Sequence, residues 1–151
     1  MADAKEALAK LTDADWQELA ELNQKIQNHK GAWGETKGGE QVPSRTDPSR
    51  IVTVMPYIEN NELINEFIQT IHDKGLILEG FDWKNWHVGK LWMEDDRESK
   101  YELLNDKVFT VKLITALVRQ DRFAEGSIKR WFELGVIQKV LGRLLRQVNA
   151  A

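Results

Sequence analysis

The sequence predicts a mainly α fold, a compact bundle of about six helices, and three observations predict it. Apolar residues recur at helical spacing in several separated segments. Those segments are bounded by residues that start and stop helices. One of them, from Val108 to Val118, is apolar on most of its circumference, the mark of a helix buried among others. A small two-stranded ribbon near residues 32–36 and 51–55 is the only β element expected. The whole chain, 1–151, reads as a single helical domain with a Gly/Pro-rich loop at 31–50. A chain of this length buries about 70% of the surface it would expose unfolded, which suffices for one core.

Residues 2–11 suit a short helix. In "LTDADW", Thr12 is a good N-cap with Asp15 at the third helical position, and Leu11 and Trp16 are placed as a hydrophobic staple. Trp16, Leu19, Leu22 or Asn23, and Ile26 then repeat at helical spacing to about Asn28. From Gly31 to Arg50 the chain carries four glycines and two prolines, with Trp33 and Val42 as its only large apolar residues, and reads as a loop. "IVTVM", 51–55, is β-branched and the best strand candidate.

Asn60 or Asn61 caps the next helix, whose stripe is Leu63, Ile64, Phe67, Ile68 and Ile71. Gly75 supplies the left-handed residue that ends it. After "LILEG", Asp82 reads as the N-cap of a helix to about Asp95 that carries Trp83 and Trp86 one turn apart. "EDDRES" is a charged turn. The buried helix begins near Asp106. The next segment holds Ile128, Trp131, Phe132 and Leu134 and stops at Gly135. The last helix places Val136, Ile137, Val140, Leu141, Leu144, Leu145 and Val148 inward and Lys139, Arg143 and Arg146 outward.

Composition narrows the function classes. With 42% hydrophobic and 30% charged residues the chain is ordinary for a globular protein. No apolar run approaches the roughly 20 residues that cross a bilayer, and "MADAKEALAK" lacks a hydrophobic signal core. A cytoplasmic location and no membrane contact are therefore the expectation. The absence of cysteine excludes disulfides, a thiolate nucleophile and Cys-based metal sites. His29, His72 and His87 lie far apart without metal-ligand spacing, so no metal and no cofactor are implied. Charge is uneven. Residues 107–151 carry 9 Lys and Arg against 3 Asp and Glu, whereas 1–106 carry 12 against 21. Such asymmetry fits either an acidic partner or the packing of one end of the chain against the other.

"MPY" at 55–57, "KGLI" at 74–77, "FDWKNW" at 81–86, "LITALVRQDRFAEG" at 113–126 and "ELG" at 133–135 resemble a family of small bacterial, archaeal and phage proteins known only as a domain of unknown function. The stretch with Trp33–Gly34 and Gly38–Gly39 is similar to that family's glycine- and tryptophan-containing loop. The resemblance runs from about Trp16 to Arg146. It departs at Ala124, where the family pattern suggests a cysteine, which argues against any role needing a thiol there. It supports the helical fold and implies no activity.

The candidate binding residues are Trp33, Tyr57, Asp82, Trp83, Trp86, Arg119, Asp121, Arg122 and Glu125. The last four crowd the junction between two core-forming segments. Two readings fit them. The arginines would grip a phosphate or carboxylate, or the four charges would close a helix joint, with Asp121 capping the following helix and the arginines meeting carbonyls left free by the preceding one. The aromatics would line a cleft for a planar ligand or pack as core. A candidate basic surface comprises Lys129, Arg130, Lys139, Arg143 and Arg146, read either as a phosphate-contacting stripe or as a solvated helix face. No nucleophile elbow or phosphate-cradling loop is present, and no catalytic residue is assigned.

The sequence thus leaves the function unknown. It favours a cytoplasmic, non-catalytic binding or interaction protein with a protein partner or a second copy of itself, linked to phage or mobile-element conflict. The alternative is an enzyme or small-ligand sensor whose Trp/Arg-lined pocket joins the Trp33 loop, Asp82–Trp83 and the Arg119–Glu125 joint. The second alternative is a nucleic-acid binder using the basic C-terminal helix.

Overall fold

The computed structural model describes residues 3–149, with side chains to Arg146. Helix α1 spans Ala4–Ala9 and α2 spans Asp13–Asn28. Four strands follow: β1 Gly34–Lys37, β2 Gln41–Pro43, β3 Ile51–Thr53 and β4 Tyr57–Asn60. Then come α3 Glu62–Asp73, α4 His87–Glu94, α5 Lys107–Gln120, α6 Ser127–Glu133 and α7 Val136–Asn149. Two 3-10 helices, Trp83–Asn85 and Glu98–Asn105, flank α4. The fold is mainly α, with seven α-helices among the described residues. The side chain of Val148 and the position of Ala2 lie outside the described residues.

The capping chemistry forms as the sequence requires. Thr12 and Asp15 make a reciprocal capping box: Thr12 Oγ1 accepts from the Asp15 amide at 3.1 Å and Asp15 accepts from the Thr12 amide at 2.9 Å. Asn61 caps α3 through the Leu63 amide, and Gly75, at φ 74°, ends that helix. Asp106 caps α5 by accepting from Val108 and Phe109.

Helix α5 is the centre of the body and touches α1, α6, α7 and both 3-10 helices. Val111, Leu113, Ile114 and Leu117 are fully buried within one continuous core that also takes Leu19, Ile26, Phe67 and Phe132. Two buried threonines reconcile polar groups with that core. Thr115 Oγ1 accepts from the Leu78 amide at 3.0 Å and has the carbonyls of Val111 and Leu76 within reach of its own proton. Thr110 Oγ1 lies 3.0 Å from the Leu104 and Asp106 carbonyls. The link after α3 is thereby stitched to the central helix.

The stretch expected to be a loop at 31–50 instead supplies half of a β arm. The ribbon near 32–36 and 51–55 is present, but as two antiparallel ladders: β1 pairs with β4, Glu35 opposite Glu59, and β2 pairs with β3, Val42 opposite Val52. Ile51–Thr53 therefore pairs with 41–43 and not with the segment beside Trp33. The reason is local. Asp47 accepts from Ser49 through both amide and hydroxyl, and the Ser44 amide donates to the Arg50 carbonyl, closing a hairpin tip that takes Ile51–Thr53 for itself. Between the ladders the Gly39 amide donates to Val54 and the Val54 amide to Glu40. Gly38, at φ 87°, lies where a Cβ would come 2.6 Å from the Met55 carbonyl, so only glycine fits this break.

The region 82–105 departs most from expectation. Asp82 makes no capping bond. It accepts from the Asn85 side chain at 2.7 Å, and α4 begins only at His87. Trp83 and Trp86 thus bracket a 3-10 turn and do not share one α-helical face. The charged turn after α4 runs directly into a 3-10 helix whose Tyr101 and Leu104 are buried. Lys100 holds the corner. Its ammonium donates to the Asp95 carbonyl at 2.6 Å and to the Trp92 carbonyl at 3.3 Å, while the Trp92 indole donates to the Lys100 carbonyl at 2.9 Å. A cation closes the negative end of α4 in this way, and burial pushes the Lys100 pKa down.

Candidate functional site

Helix α5 ends at Gln120, and residues 121–126 form a non-helical joint before α6. Asp121, Arg122 and Glu125 therefore do not lie on one continuous helix face. The two carboxylates serve the fold. Asp121 Oδ1 accepts from the Gly126 amide at 3.1 Å and the Ile128 amide at 3.2 Å, capping α6 from outside because its N-cap residue is a glycine. Glu125 Oε1 accepts from the Ile58 amide at 2.7 Å and ties the joint to β4. Ile58 also packs on Gly126, where a Cβ would meet its side chain at 3.4 Å. From the other side, the Trp131 indole donates to Gln120 at 3.0 Å and locks the end of α5 to α6.

The two arginines behave differently. Neither Arg119 nor Arg122 belongs to an ion pair among the described residues. They do not satisfy free carbonyls of α5 as the joint reading required. Arg119 Nε is buried without any hydrogen-bond partner, a condition that costs about 1–3 kcal/mol for an unsatisfied donor. Both line an open groove of about 540 Å³ between α3, the 76–80 link and the end of α5. Its floor is Ile68, Ile77 and Val118, and its walls include Gln69, His72 and Glu79.

The aromatic candidates scatter. Trp33 is 9% exposed and faces the core, its ring 4.1 Å from His29 and 4.8 Å from Phe132. Its burial follows from its place between α2 and the ribbon base, where its carbonyl accepts from the Asn61 amide at 2.8 Å. Trp86 stacks between Phe81 and Phe109, and its ring covers Gly89, which has no room for a side chain. Trp83 reaches the joint, 5.8 Å from Phe123, whose other approach is taken by the Lys84 ammonium at 3.8 Å. Tyr57 is exposed on the ribbon opposite Lys37. The cleft expected to unite the Trp33 loop, Asp82–Trp83 and the joint does not form, since Trp33 turns inward and Tyr57 outward.

The other residues that line the groove, Ile68, Gln69, His72, Ile77 and Glu79, were not among the binding candidates of the sequence. The signal for them was "KGLI" at 74–77, whose Ile77 lines the groove with Val118, Arg119, Asp121 and Arg122 of the "LITALVRQDRFAEG" segment. The segments around 57–58, 83–84 and 121–126 also converge on the joint.

The basic surface is partly neutralised. Lys139 pairs with Glu98 at 3.0 Å over the Tyr101 ring, and Lys129 pairs with Glu133 at 3.3 Å. Arg130, Arg143 and Arg146 have no carboxylate partner among the described residues; the last two line a groove of about 300 Å³ with Glu98 and Tyr101. Among the described residues no group of His, Asp and Glu side chains is placed to hold a metal, and no helix is long and apolar enough to cross a membrane.

In comparison with known proteins, the family of unknown function DUF6508 matches residues 11–150. The chain belongs to that family. No curated protein and no solved structure matches it. The family covers the joint, the groove and the ribbon alike, and its description names no activity.

Proposed function

We propose that the chain is a non-catalytic binding protein that engages a protein partner, or a second copy of itself, through the β1–β4 ribbon. The observation that carries this reading is the apolar exposure of the arm: Met55 is 82% and Ile51 69% exposed, with Val52 and Tyr57 nearby. Apolar residues exposed on a two-stranded arm fit contact with another surface, by side-chain burial or by strand addition at its β2–β3 end. The non-catalytic part rests on the joint, where Asp121 Oδ1 and Glu125 Oε1 each accept from backbone amides and serve the fold.

The test is site-specific photo-crosslinking from position 53, exposed on the same arm, in the producing cell. A discrete adduct that Ile51→Ser with Met55→Ser abolishes, while Leu134→Ser on the body leaves it intact, supports the reading. Crosslinks indifferent to those changes oppose it, as does any turnover lost on replacing Arg122 or Glu125. The link to phage or mobile-element conflict rests on the resemblance of the sequence motifs to small bacterial, archaeal and phage proteins. Unchanged phage sensitivity on deleting the gene counts against that link.

A further inference from the structure

We infer that the groove between α3 and the end of α5 binds a small organic oxyanion, one phosphate or carboxylate head carried on an apolar body. Four features of the groove lead there. The first is the buried Arg119 Nε–H, which the fold leaves without an acceptor. With its Nε–H turned inward and no carboxylate beside it, the guanidinium still lines the groove, where its fork suits two parallel bonds to an oxyanion head. The second is that neither groove arginine lies against a carboxylate; Arg130, Arg143 and Arg146 share that state among the described residues, but of these five only Arg119 also has a buried, unsatisfied Nε.

The third feature is that Asp121, which also lines the groove, is already engaged, because its Oδ1 accepts from the Gly126 and Ile128 amides. Glu79 is the exposed carboxylate on the opposite wall. Its charge disfavours a polyanion and leaves room for a single head. The fourth is the floor of Ile68, Ile77 and Val118, which an inorganic ion would not cover. At about 540 Å³ the groove is within the roughly 300–1,000 Å³ of small-molecule sites. His72 and Gln69 stand on the α3 wall as further hydrogen-bonding groups.

The experiment follows the arginine Nε–Hε resonances of the full chain by NMR during titration with phenyl phosphate, benzoate, inorganic phosphate and pyrophosphate. The expected result is a saturable shift at Arg119 with phenyl phosphate or benzoate, tighter than with either inorganic ion. Arg122→Ala, an exposed change that leaves the fold intact, weakens binding about tenfold. Arg119→Lys keeps the charge, loses the fork and weakens it comparably. Arg143→Ala and the paired ribbon changes Ile51→Ser and Met55→Ser leave it unchanged, so this site and the arm fail or stand separately. The inference is overturned by no saturable shift up to roughly 10 mM of any probe, by affinity indifferent to Arg122→Ala, or by pyrophosphate binding best.

Discussion

Helix α5 and the ribbon of residues 34–60 are both regular structure, yet they are held by opposite means. Seven of the fourteen residues of α5 are buried, and its polar threonines are fully engaged. The strands of the ribbon bury no side chain outright; each of their residues is half-buried or exposed. What holds the ribbon is its backbone ladders, the Lys37 bridge over the facing Glu35 and Glu59, and the Glu125 tether. The body thus derives its stability from burial, while the arm keeps its apolar side chains available to another surface.

The sharpest test of that contrast is Leu117→Ala at the centre of α5, where deletion of a fully buried side chain should cost about 2–5 kcal/mol in urea unfolding. A loss under 1 kcal/mol would mean that α5 is not the keystone. Next, Thr115→Val strands the buried Leu78 amide and should cost about 1–3 kcal/mol. Asp121→Ala uncaps α6, at about 0.5–2 kcal/mol, and Asp121→Asn should recover most of that because an amide oxygen can still accept.

At the arm the scale falls. Glu125→Ala should lower global stability by less than about 1 kcal/mol, yet hydrogen exchange at the Ile58 amide should rise clearly as its acceptor disappears. Unchanged exchange there would show that the tether does not hold β4. Smallest of all, Ile51→Ser should stay within about 0.5 kcal/mol of wild type, because that side chain is already in solvent.

Acid and alkali probe the two regions from different ends. Lys74 binds the Asp15 carboxylate at 2.8 Å and joins α3 to α2, holding the Asp15 pKa at about 2. A depressed carboxylate stabilises above its unfolded value near 4 and loses that contribution as pH falls toward 2. In the ribbon, the Lys37 pKa is raised, chiefly by Glu59 and then Glu35. Its contribution is complete below the ordinary lysine value and is lost as pH rises through the elevated one. Lys74→Met should therefore flatten the acid limb of the stability curve, and Lys37→Met should soften ribbon cross-peaks at neutral pH, a difference from wild type that should vanish in strong alkali. Identical pH profiles for wild type and Lys74→Met would rule out the acid linkage.

The joint shows how far a linear reading reaches. That Asp121 would cap the next helix was legible, since a short acidic side chain before a glycine and a helix has little else to do. That Glu125 would reach Ile58, 67 residues away, was not, because only the docking of the ribbon brings that amide within 2.7 Å. Trp33 misled for a related reason. A lone aromatic among polar residues looks exposed in one dimension, but the ribbon springs from the body at that point and folds the ring against Phe132.

What the sequence by itself determined is the set of local decisions: the capping box at Thr12, the stop at Gly75, the all-round apolar helix after Asp106 and the amphipathic α3. Each depends on residues within a turn or two, where spacing and side-chain chemistry suffice. Only the tertiary structure decided which strand pairs with which, where Trp33 faces, and that Arg119 and Arg122 meet α3 across a groove while their neighbouring carboxylates turn to the backbone. Those outcomes depend on contacts between residues distant in the chain. A hydrophobic pattern says that such faces must be covered but not by what.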